Sequence, residues 1–444
     1  PLWSRGLGDV YKRQDYGAFV VIGLGGVAAE ALEDIQMIPL PANSLDISRA
    51  FERLRSHELF SAYRGQSEIS HPDLERAVTA LASIAESRPD IESIDVNPMI
   101  VLPNGSLTAV DALVVMESQP RERDLTVDNR ADRTALLASM FDPRGVVVLG
   151  ASSHPGKFGF VSLHNIIVNG FSGGVYGLNQ SGEQVLDATV VTSLDQIPES
   201  QVDLAFFCTP SSANESLLRQ CASRGIRAAF VASAGYREIG DEGAAHERRL
   251  ADLATQLGMV LGGPNGQGIV STPANLCAQI VAPYPKAGSL SIASQSGNFV
   301  SSFLNLAKWA DVGIARAVSA GNSAQCDVSD YLKFFAADPQ TAVSLAYVES
   351  VADGRRFMES VAAHAAIKPL VLIKGGRTTA GQHAASSHTG AMASNFAAFE
   401  ARASQYGAVV VDEPESAFDT AAAFATLPLP SGSRLAILTT VGGW

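Results

Sequence analysis

The sequence predicts an α/β protein with two successive doubly wound parallel sheets and a smaller α+β lobe in front of them. From residue 145 to about 270, short apolar runs alternate with helix-compatible stretches, which is typical of a parallel sheet covered by helices. A second series of the same kind runs to about 428. Residues 15–117 instead combine an amphipathic helix near 72–87 with two strands joined by an Asn-Gly turn, which is a hairpin signal. These three regions give the predicted domain order.

Composition limits the classes of partner. The chain has 444 residues, of which 46% are hydrophobic and 17% charged, and its formal net charge is −13. A chain of this length is expected to form several domains with ordinary hydrophobic cores. The negative charge argues against a nucleic-acid partner, which needs a basic face. An anionic ligand therefore has to be held by local N–H groups and a few basic side chains.

Cysteine usage and hydropathy favour a cytoplasmic protein. The four cysteines show no metal-ligand spacing, so we expect buried thiols in a reducing compartment, without a disulfide or a zinc site. The apolar run 18–32 contains glycines and Glu30, and we expect it to form a buried strand and the element after it. We therefore expect neither a signal peptide nor a membrane partner. The patterns leave open whether the chain forms a homo-oligomer.

Shifts in composition set the predicted domain limits. Residues 1–14 share no periodicity with the residues after them and resemble adapter read-through, so we interpret them as a non-native leader. The charged stretch 118–135 has few bulky apolar residues and is interpreted as an exposed linker. The last apolar run leads into Gly-Gly, which we interpret as the start of a further, truncated domain. The predicted limits are 15–117, 118–135, 136–270, 271–428 and 429–444.

A glycine-rich turn, LGASSHPGKFG, follows the first strand of the series that begins at 145. Its backbone N–H groups and the following helix N-terminus can meet a phosphate, and Lys157 either adds a cation or is a solvated loop residue. A dinucleotide site would need an acidic residue after the next strand, where the chain has Asn179, so another nucleotide is favoured over NAD. Two later loops, which are also compatible with simple turns, meet the same sheet edge. The candidate ligand residues are Gly150, Ala151, Ser152, Gly156, Lys157, Asn179, Thr209, Pro210, Pro264 and Asn265.

The segment SQSGN ends an apolar strand and precedes a helix-compatible stretch. Because a helix N-terminus carries unsatisfied N–H donors and partial positive charge, this junction predicts an anion site formed by Ser294, Ser296 and Gly297. The alternative is an ordinary N-cap serine.

A histidine among small residues is the candidate nucleophile. His388 stands in AASSHTGAMA, where the neighbouring residues offer hydroxyl or amide donors and room for a phosphoryl group: Ser387, Thr389 and Gly390. Glu349 ends the apolar strand of LAYVES, and a carboxylate there can fix the tautomer of a nucleophilic histidine. The alternatives are an exposed histidine and a glutamate that caps a helix.

Polar residues on the predicted hairpin of the first lobe suit a magnesium ion. Asn97 and Asp111 are hard oxygen ligands on paired strands, and Mg²⁺ takes few protein ligands when it bridges nucleotide phosphates. The alternative is the ordinary polarity of a hairpin.

Taken in order, these motifs resemble the nucleoside-diphosphate-forming acyl-CoA synthetases, relatives of succinyl-CoA synthetase, over about 15–444. SSHTG resembles the phosphohistidine loop, SQSG the loop that receives its phosphate, and YVES the strand with the histidine-orienting glutamate. GASSHPGKFG and GPNGQG resemble CoA-binding loops, while FVVIGLGGVAAEALED, IDVNP and AVDA resemble the carboxyl half of an ATP-grasp domain. The implied fold is a Rossmann-like CoA-binding domain and a flavodoxin-like ligase domain, preceded by a partial ATP-grasp lobe.

The resemblance implies a ligase that joins a small carboxylate to CoA, with ATP converted to ADP and phosphate. An acyl phosphate forms, and His388 carries the phosphoryl group between the acyl site and the nucleotide site, with Glu349 as its orienting residue. CoA, ATP or ADP, and Mg²⁺ on Asn97 and Asp111 are the implied cofactors. A covalent carrier is needed because ATP and CoA cannot occupy one pocket.

Two features depart from the family pattern. The lobe lacks the amino-terminal, lysine-bearing part of the ATP-grasp domain, and Gly266 stands where many members have cysteine. A catalytically inactive CoA-binding module, or part of an acetyltransferase-fused relative, is the alternative function. A dehydrogenase is disfavoured by the missing acidic ribose contact.

Overall fold

A computed structural model describes residues 16–23, 34–60, 68–88, 90–116, 133–281, 283–376 and 396–432, four single positions between 434 and 440, and the backbone of 9–14. Three large sheets and one separate two-stranded hairpin organise these residues, in the order that the sequence predicts. Within this described part, no helix is both long enough and apolar enough to cross a membrane.

The first lobe contains an antiparallel sheet of order β3-β2-β1-β4-β7 and the separate hairpin β5–β6. Alternating apolar residues bury one face of this sheet under two amphipathic helices. The Asn-Gly turn is present, and Gly105 has φ +83°, a left-handed conformation that favours glycine. The elements are β1 Asp9–Gln14, β2 Gly17–Gly23, β3 Ile35–Pro39, α1 Ser44–Arg53, α2 His71–Ser87, β4 Ile91–Asp95, β5 Met99–Val101, β6 Leu107–Ala109 and β7 Leu113–Met116.

Strand β1 lies within the segment that we interpreted as a non-native leader. It pairs with both β2 and β4, so the backbone of Asp9–Gln14 is part of the sheet. Because backbone pairing uses groups that every residue except proline supplies, it does not identify the origin of these side chains, and the leader stays a prediction.

The second region is a parallel sheet of order β10-β9-β8-β11-β12-β13. In local numbering this order is 3-2-1-4-5-6, the Rossmann arrangement, which places ligand loops at the carboxyl ends of the strands. The elements are α3 Thr134–Phe141, β8 Gly145–Leu149, α4 Phe158–Val168, β9 Gly174–Leu178, β10 Thr189–Val191, β11 Leu204–Phe207, α5 Ser211–Ser223, β12 Ala228–Val231, α6 Asp241–Gln256 and β13 Val260–Gly262.

The third region is a sheet of order β15-β14-β17-β16-β18-β19-β20. The five strands from β16 to β20 are parallel in local order 2-1-3-4-5, the flavodoxin arrangement. The elements are β14 Gly268–Ser271, β15 Leu276–Gln279, β16 Ala287–Ser294, α7 Gly297–Trp309, β17 Ile314–Ser319, α8 Val328–Ala337, β18 Val343–Val348, α9 Gly354–Ala365, β19 Leu370–Lys374, α10 Phe396–Gln405, β20 Val409–Val410 and α11 Pro414–Thr426.

The hairpin β14–β15 joins the third sheet in antiparallel fashion and crosses the limit predicted at residue 270. Its strands carry no long apolar alternation of their own, so the sequence gives little sign of them. They bring the two parallel sheets together: the Asn165 amide on α4 donates to the carbonyl of Gln279 on β15 (2.8 Å), and one core cluster includes side chains from both regions. The carboxyl edges of the two sheets therefore face a common space.

The first lobe packs on the third region through α10. Arg402 is buried, and its guanidinium donates to three main-chain carbonyls, those of Tyr16 (3.0 Å), Ala18 (3.0 Å) and Leu40 (2.9 Å). A Cβ on Gly17 would lie 2.8 Å from Nη2 of Arg402, so the approach requires glycine. Arg402 thus joins the first lobe to the third region.

Candidate active site

A cavity of about 600 Å³ lies between the carboxyl edges of the two parallel sheets. Of the predicted site residues within the described ranges, four line it: Asn265, Ser296, Gly297 and Glu349. The other lining residues are Phe158, Ala232, Ala234, Arg237, Glu238, Gly266, Gln267, Ile280, Gln295, Asn298, Gly321, Asn322 and Ser350. The volume is ordinary for a small-molecule site.

The glycine-rich turn of the Rossmann sheet is formed as the sequence predicts. Gly150 has φ +85°, and a Cβ on Gly159 would lie 2.0 Å from the Gly150 carbonyl, so the turn and α4 can approach only without these side chains. Lys157 is exposed at the start of α4 and makes no capping hydrogen bond. Its neighbour Phe158 reaches the cavity, which places the turn at the cavity mouth.

Two predicted ligand residues bond to the scaffold instead of lining the cavity. The Asn179 amide donates to the Glu183 carbonyl (2.9 Å), which closes its own loop. The Thr209 hydroxyl donates to the side-chain oxygen of Asn214 (2.7 Å) at the start of α5. These hydrogen bonds stabilise the loops at the carboxyl edge of the sheet.

The GPNGQG loop is fixed by main-chain contacts. The Asn322 N–H donates to the Pro264 carbonyl (2.8 Å), and Asn265 has φ +58°. A Cβ on Gly266 would lie 2.6 Å from the Ser319 carbonyl and 2.7 Å from the Phe230 ring. A cysteine at this position would therefore require the loop or the ring to shift.

The junction between β16 and α7 has the form of an anion site. The buried Ser294 hydroxyl donates to the Ser296 carbonyl (2.7 Å) and accepts the Ser296 N–H (3.1 Å), which shapes the turn. Ser296 occupies the N-cap position, but its side chain makes no capping hydrogen bond. The Ser296 hydroxyl therefore does not supply the usual capping hydrogen bond, and the first residues of α7 line the cavity.

Gln267 and Gln295 are functional candidates that sequence reasoning missed. The Gln267 side chain covers the start of α7, where it accepts from the Ser301 hydroxyl (2.6 Å) and donates to Asn298 (3.3 Å). Gln295 accepts the N–H groups of Glu349 (2.6 Å) and Ser350 (3.0 Å). Both residues lie in motifs that we had interpreted through their serines and glycines, so no signal pointed to them.

Glu349 follows β18 directly and is held from several sides. Gln295 also donates to the Ser350 carbonyl (2.9 Å), so it brackets the turn after β18. The Tyr347 hydroxyl hydrogen-bonds to the Glu349 carboxylate, and burial together with that negative charge raises the pKa of Tyr347. The helix that follows, α9, is capped by Asp353, so Glu349 does not cap it.

Lys374 completes the surroundings of Glu349. It ends β19, only 6% of it is exposed, and its Nζ donates to the carbonyls of Glu349 and Gly375, both at 2.8 Å. Burial lowers the pKa of Lys374 to about 8, and the nearby Glu349 charge opposes this shift.

Glu238 is a second acidic residue that lines the cavity. It accepts from the Asn322 amide (2.8 Å) and from the Gly235 N–H (2.6 Å). Burial raises the pKa of Glu238, but these hydrogen bonds outweigh burial and lower it overall. The cavity lining thus includes the Glu238 carboxylate, which is held in place by hydrogen bonds from two loops.

The candidate nucleophile His388 lies outside the described residues, as do Ser387, Thr389 and Gly390. The described residues stop at Gly376, two positions after the end of β19, and resume at Phe396, the first residue of α10. No described contact tests their roles.

The two predicted magnesium ligands lie outside the strands, Asn97 in the connection from β4 to β5 and Asp111 in the connection from β6 to β7. The pairs Asp95–Leu113 and Met99–Ala109 flank these two connections on either side, which brings the connections close to each other. A buried carboxylate oxygen of Asp95 has no hydrogen-bond partner. Within the described ranges no three His, Cys, Asp or Glu residues cluster as a metal site, so an ion here would have mainly water or phosphate ligands.

Comparison with known proteins decides the family. Residues 9–116 match the family described as ATP-grasp domain, residues 144–272 the CoA binding domain, and residues 287–424 the succinyl-CoA ligase like flavodoxin domain. The chain is 36% identical to subunit alpha of the ADP-forming acetate–CoA ligase I of Pyrococcus furiosus, over 69% of this chain and 67% of that subunit. The chain belongs to the ADP-forming acyl-CoA synthetase family. The family predicted from the motifs is confirmed.

Longer relatives of this synthetase family extend beyond the chain. The ADP-forming acetate–CoA ligase II of Archaeoglobus fulgidus is 32% identical over 97% of this chain, which spans 62% of that protein's length. The solved structure of acetyl-coenzyme A synthetase 1 from Candidatus Korarchaeum cryptofilum, in complex with phosphate and ADP, is similar with a TM-score of 0.64 and 33% identity. That match covers 67% of this chain and 64% of the other. The chain therefore shares the fold of that synthetase over about two thirds of its own length.

Proposed function

We propose that this chain carries the acyl-transfer part of an ADP-forming acyl-CoA synthetase, which joins a small carboxylate to CoA with ATP and releases ADP and phosphate. One observation supports it most. The cavity between a Rossmann and a flavodoxin sheet contains an uncapped helix N-terminus and a fixed glutamate, which are an anion site and an orienting carboxylate. The ADP-forming relatives support the same activity.

Each part of the site has its own task in this reaction. CoA is held at the turn from Gly150 to Lys157 and at the loop that contains Pro264 and Asn265, with its sulfur in the cavity. The first turn of α7, at Ser296 and Gly297, binds the phosphoryl group. Glu349 bonds one ring nitrogen of His388 and leaves the other as the nucleophile.

In the direction of thioester cleavage, a phosphate oxygen attacks the acyl carbon of acyl-CoA, and the carbon–sulfur bond breaks. CoA leaves as thiolate and takes up a proton, and acyl phosphate remains. The His388 nitrogen then attacks phosphorus, the acyl oxygen leaves as carboxylate, and phosphohistidine forms. The phosphoryl group finally moves to ADP, which restores the imidazole. Synthesis of acyl-CoA is the reverse.

In the first lobe we assign Asn97 and Asp111 as ligands of Mg²⁺. Their places in two neighbouring connections, flanked by the pairs Asp95–Leu113 and Met99–Ala109, support an ion that takes two protein oxygens. When bound, the ion would neutralise charge on the nucleotide phosphates. The side chains of this chain would hold it in place and leave its other positions to phosphate and water.

The test uses the half-reaction that needs only the CoA-binding and ligase-like regions. The chain is incubated with acetyl-CoA and radiolabelled inorganic phosphate, and then with larger acyl-CoA thioesters. We expect an alkali-stable, acid-labile label on the protein and release of one CoA for each phosphate bound. The label is lost in His388→Ala and kept in His383→Ala, the control histidine in the same segment. Equal labelling of both variants would refute the role of His388. CoA binding without any label would favour the catalytically inactive CoA-binding module.

A further inference from the structure

We propose that Lys374 is a positioning residue for this reaction, which holds Glu349 and Gly375, at the ends of two neighbouring strands, in one fixed relation. The proposal rests on the proposed function above. It concerns a side chain that neither lines the cavity nor belongs to a motif of the sequence analysis.

The contacts of Lys374 join two neighbouring strand ends. Lys374 pairs with Val348 in the register of β18 and β19, so Glu349 and Gly375 are the next residues on each strand. The ammonium donates to the carbonyls of both, at 2.8 Å each. One side chain therefore bridges the residue that carries the carboxylate and the residue that leads into the segment with His388.

The ammonium also acts on the Glu349 side chain. The charge of Lys374 is close enough to the carboxylate for a Coulombic attraction that opposes the effect of burial on the lysine pKa. The Tyr347 hydroxyl holds the same carboxylate, and Tyr347 in turn stacks on Phe299 of α7 with ring centroids 4.1 Å apart. Backbone and carboxylate of Glu349 are thus fixed together.

Burial of this lysine argues for a positional role. A buried ammonium loses hydration, and the loss is recovered only in part by neutral carbonyl acceptors. The main-chain carbonyls at strand ends can accept hydrogen bonds from backbone N–H groups or from water, without a charged donor. We therefore attribute the presence of the Lys374 ammonium between Glu349 and Gly375 to its electrostatic effect on the Glu349 carboxylate. A carboxylate displaced by about 1 Å from a nucleophile can lower its rate by about two orders of magnitude.

The chain provides a matched control in Lys368. Its ammonium also donates to two carbonyls, those of Phe335 (2.8 Å) and Asp338 (2.6 Å), and burial lowers its pKa. These acceptors lie at the end of α8, and no residue of α8 lines the cavity in the part of the chain that the structure describes. Lys368→Met therefore removes an ammonium that donates to two carbonyls, but at a place away from the cavity.

The experiment compares Lys374→Met, Lys374→Arg and Lys368→Met in the 444-residue chain. Three quantities are measured: the rate constant of phosphate labelling at saturating acetyl-CoA and phosphate, the Kd for CoA by calorimetry, and the Tm. We expect Lys374→Met to lower the labelling rate about tenfold or more, with the Kd for CoA unchanged, and Lys374→Arg to restore part of it. Lys368→Met should lower the Tm without changing the labelling rate.

Other outcomes separate the two hypotheses. Labelling of Lys374→Met at the wild-type rate, or a loss that matches the loss in Lys368→Met, overturns the positioning role while the proposed function stands. Absence of label on the wild-type chain overturns both. If Lys374→Met does not fold, Lys374→Gln keeps a donor without the charge and carries the same expectation.

Discussion

The buried charges of the α8–α9 layer and those at the cavity edge are arranged in opposite ways. In the layer they pair with each other: Arg316 bonds to Asp338 (3.0 Å) and Asp142 (2.8 Å), and Arg356 bonds to Asp330. At the cavity edge, Lys374 donates to the main-chain carbonyls of Glu349 and Gly375, and its charge and the Tyr347 hydroxyl both act on the Glu349 carboxylate. Mutually paired charges fix elements to one another, whereas a single buried charge beside one functional group influences the state of that group.

The largest expected effect is on stability and comes from the paired layer. Arg316→Met leaves two buried or half-buried carboxylates without their cation, and we expect a loss of about 3–5 kcal/mol in the free energy of unfolding. Urea denaturation measures this loss. Arg355→Met is the control, because its pair with Glu359 is exposed and should contribute about 0.5 kcal/mol or less. Phosphate labelling per folded molecule should be normal in both variants, and a selective loss in Arg316→Met would remove the distinction between the two regions.

The next effect is on rate and comes from the cavity edge. Glu349→Gln keeps the shape and the backbone contacts but removes the charge that orients His388. We expect the labelling rate to fall on the order of a hundredfold, equivalent to about 2.7 kcal/mol in the barrier, with an unchanged Tm. Rapid-quench labelling measures the rate, and Glu359→Gln is the exposed control. A normal rate in Glu349→Gln would mean that the carboxylate is structural.

A smaller effect is expected from pH. The pKa of Lys374 is lowered to about 8, so the lysine is charged below this pH and neutral above it. Its charge faces Glu349, which Tyr347 also contacts, and the pKa of Tyr347 is raised, so the tyrosine stays protonated over this range. We expect the labelling rate to decline as the pH rises through about 8, by up to about tenfold. In Lys374→Arg the side chain stays charged, and this decline should disappear. An identical pH profile in the variant would assign the decline to another group.

The smallest effect concerns the exposed turn of the Rossmann sheet. Lys157 is the one basic side chain that we predicted for the phosphates of CoA, and its pairing would be exposed to solvent. Lys157→Ala should weaken CoA binding by about 1 kcal/mol or less, with an effect that shrinks at high salt. Calorimetry at two salt concentrations measures this change. Lys308→Ala, at the far end of α7, is the control and should leave the Kd unchanged.

The sequence predicts the loops of the site better than the contacts that hold them. Glu349 and the Ser296–Gly297 junction were predictable because a polar residue after an apolar strand lies at the carboxyl edge of a parallel sheet. Gln295 and Lys374 were not, because their role depends on which strand ends lie side by side, and the order 2-1-3-4-5 cannot be inferred from alternation alone. The bond of the Asn179 amide to the Glu183 carbonyl is local and likewise has no sequence signature.

The joint made by Arg402 constrains how this protein can diverge. Its acceptors are main-chain carbonyls, which every amino acid supplies, so the three hydrogen bonds themselves do not depend on the side chains at positions 16, 18 and 40. The Tyr16 side chain adds a separate contact, edge to face with Phe399 of α10. Gly17 is the exception, because any larger side chain would collide with the guanidinium. Substitutions in the lobe therefore preserve these hydrogen bonds as long as the backbone keeps its path. Arg402 itself has no equivalent substitute, because lysine lacks the planar guanidinium with its several N–H donors.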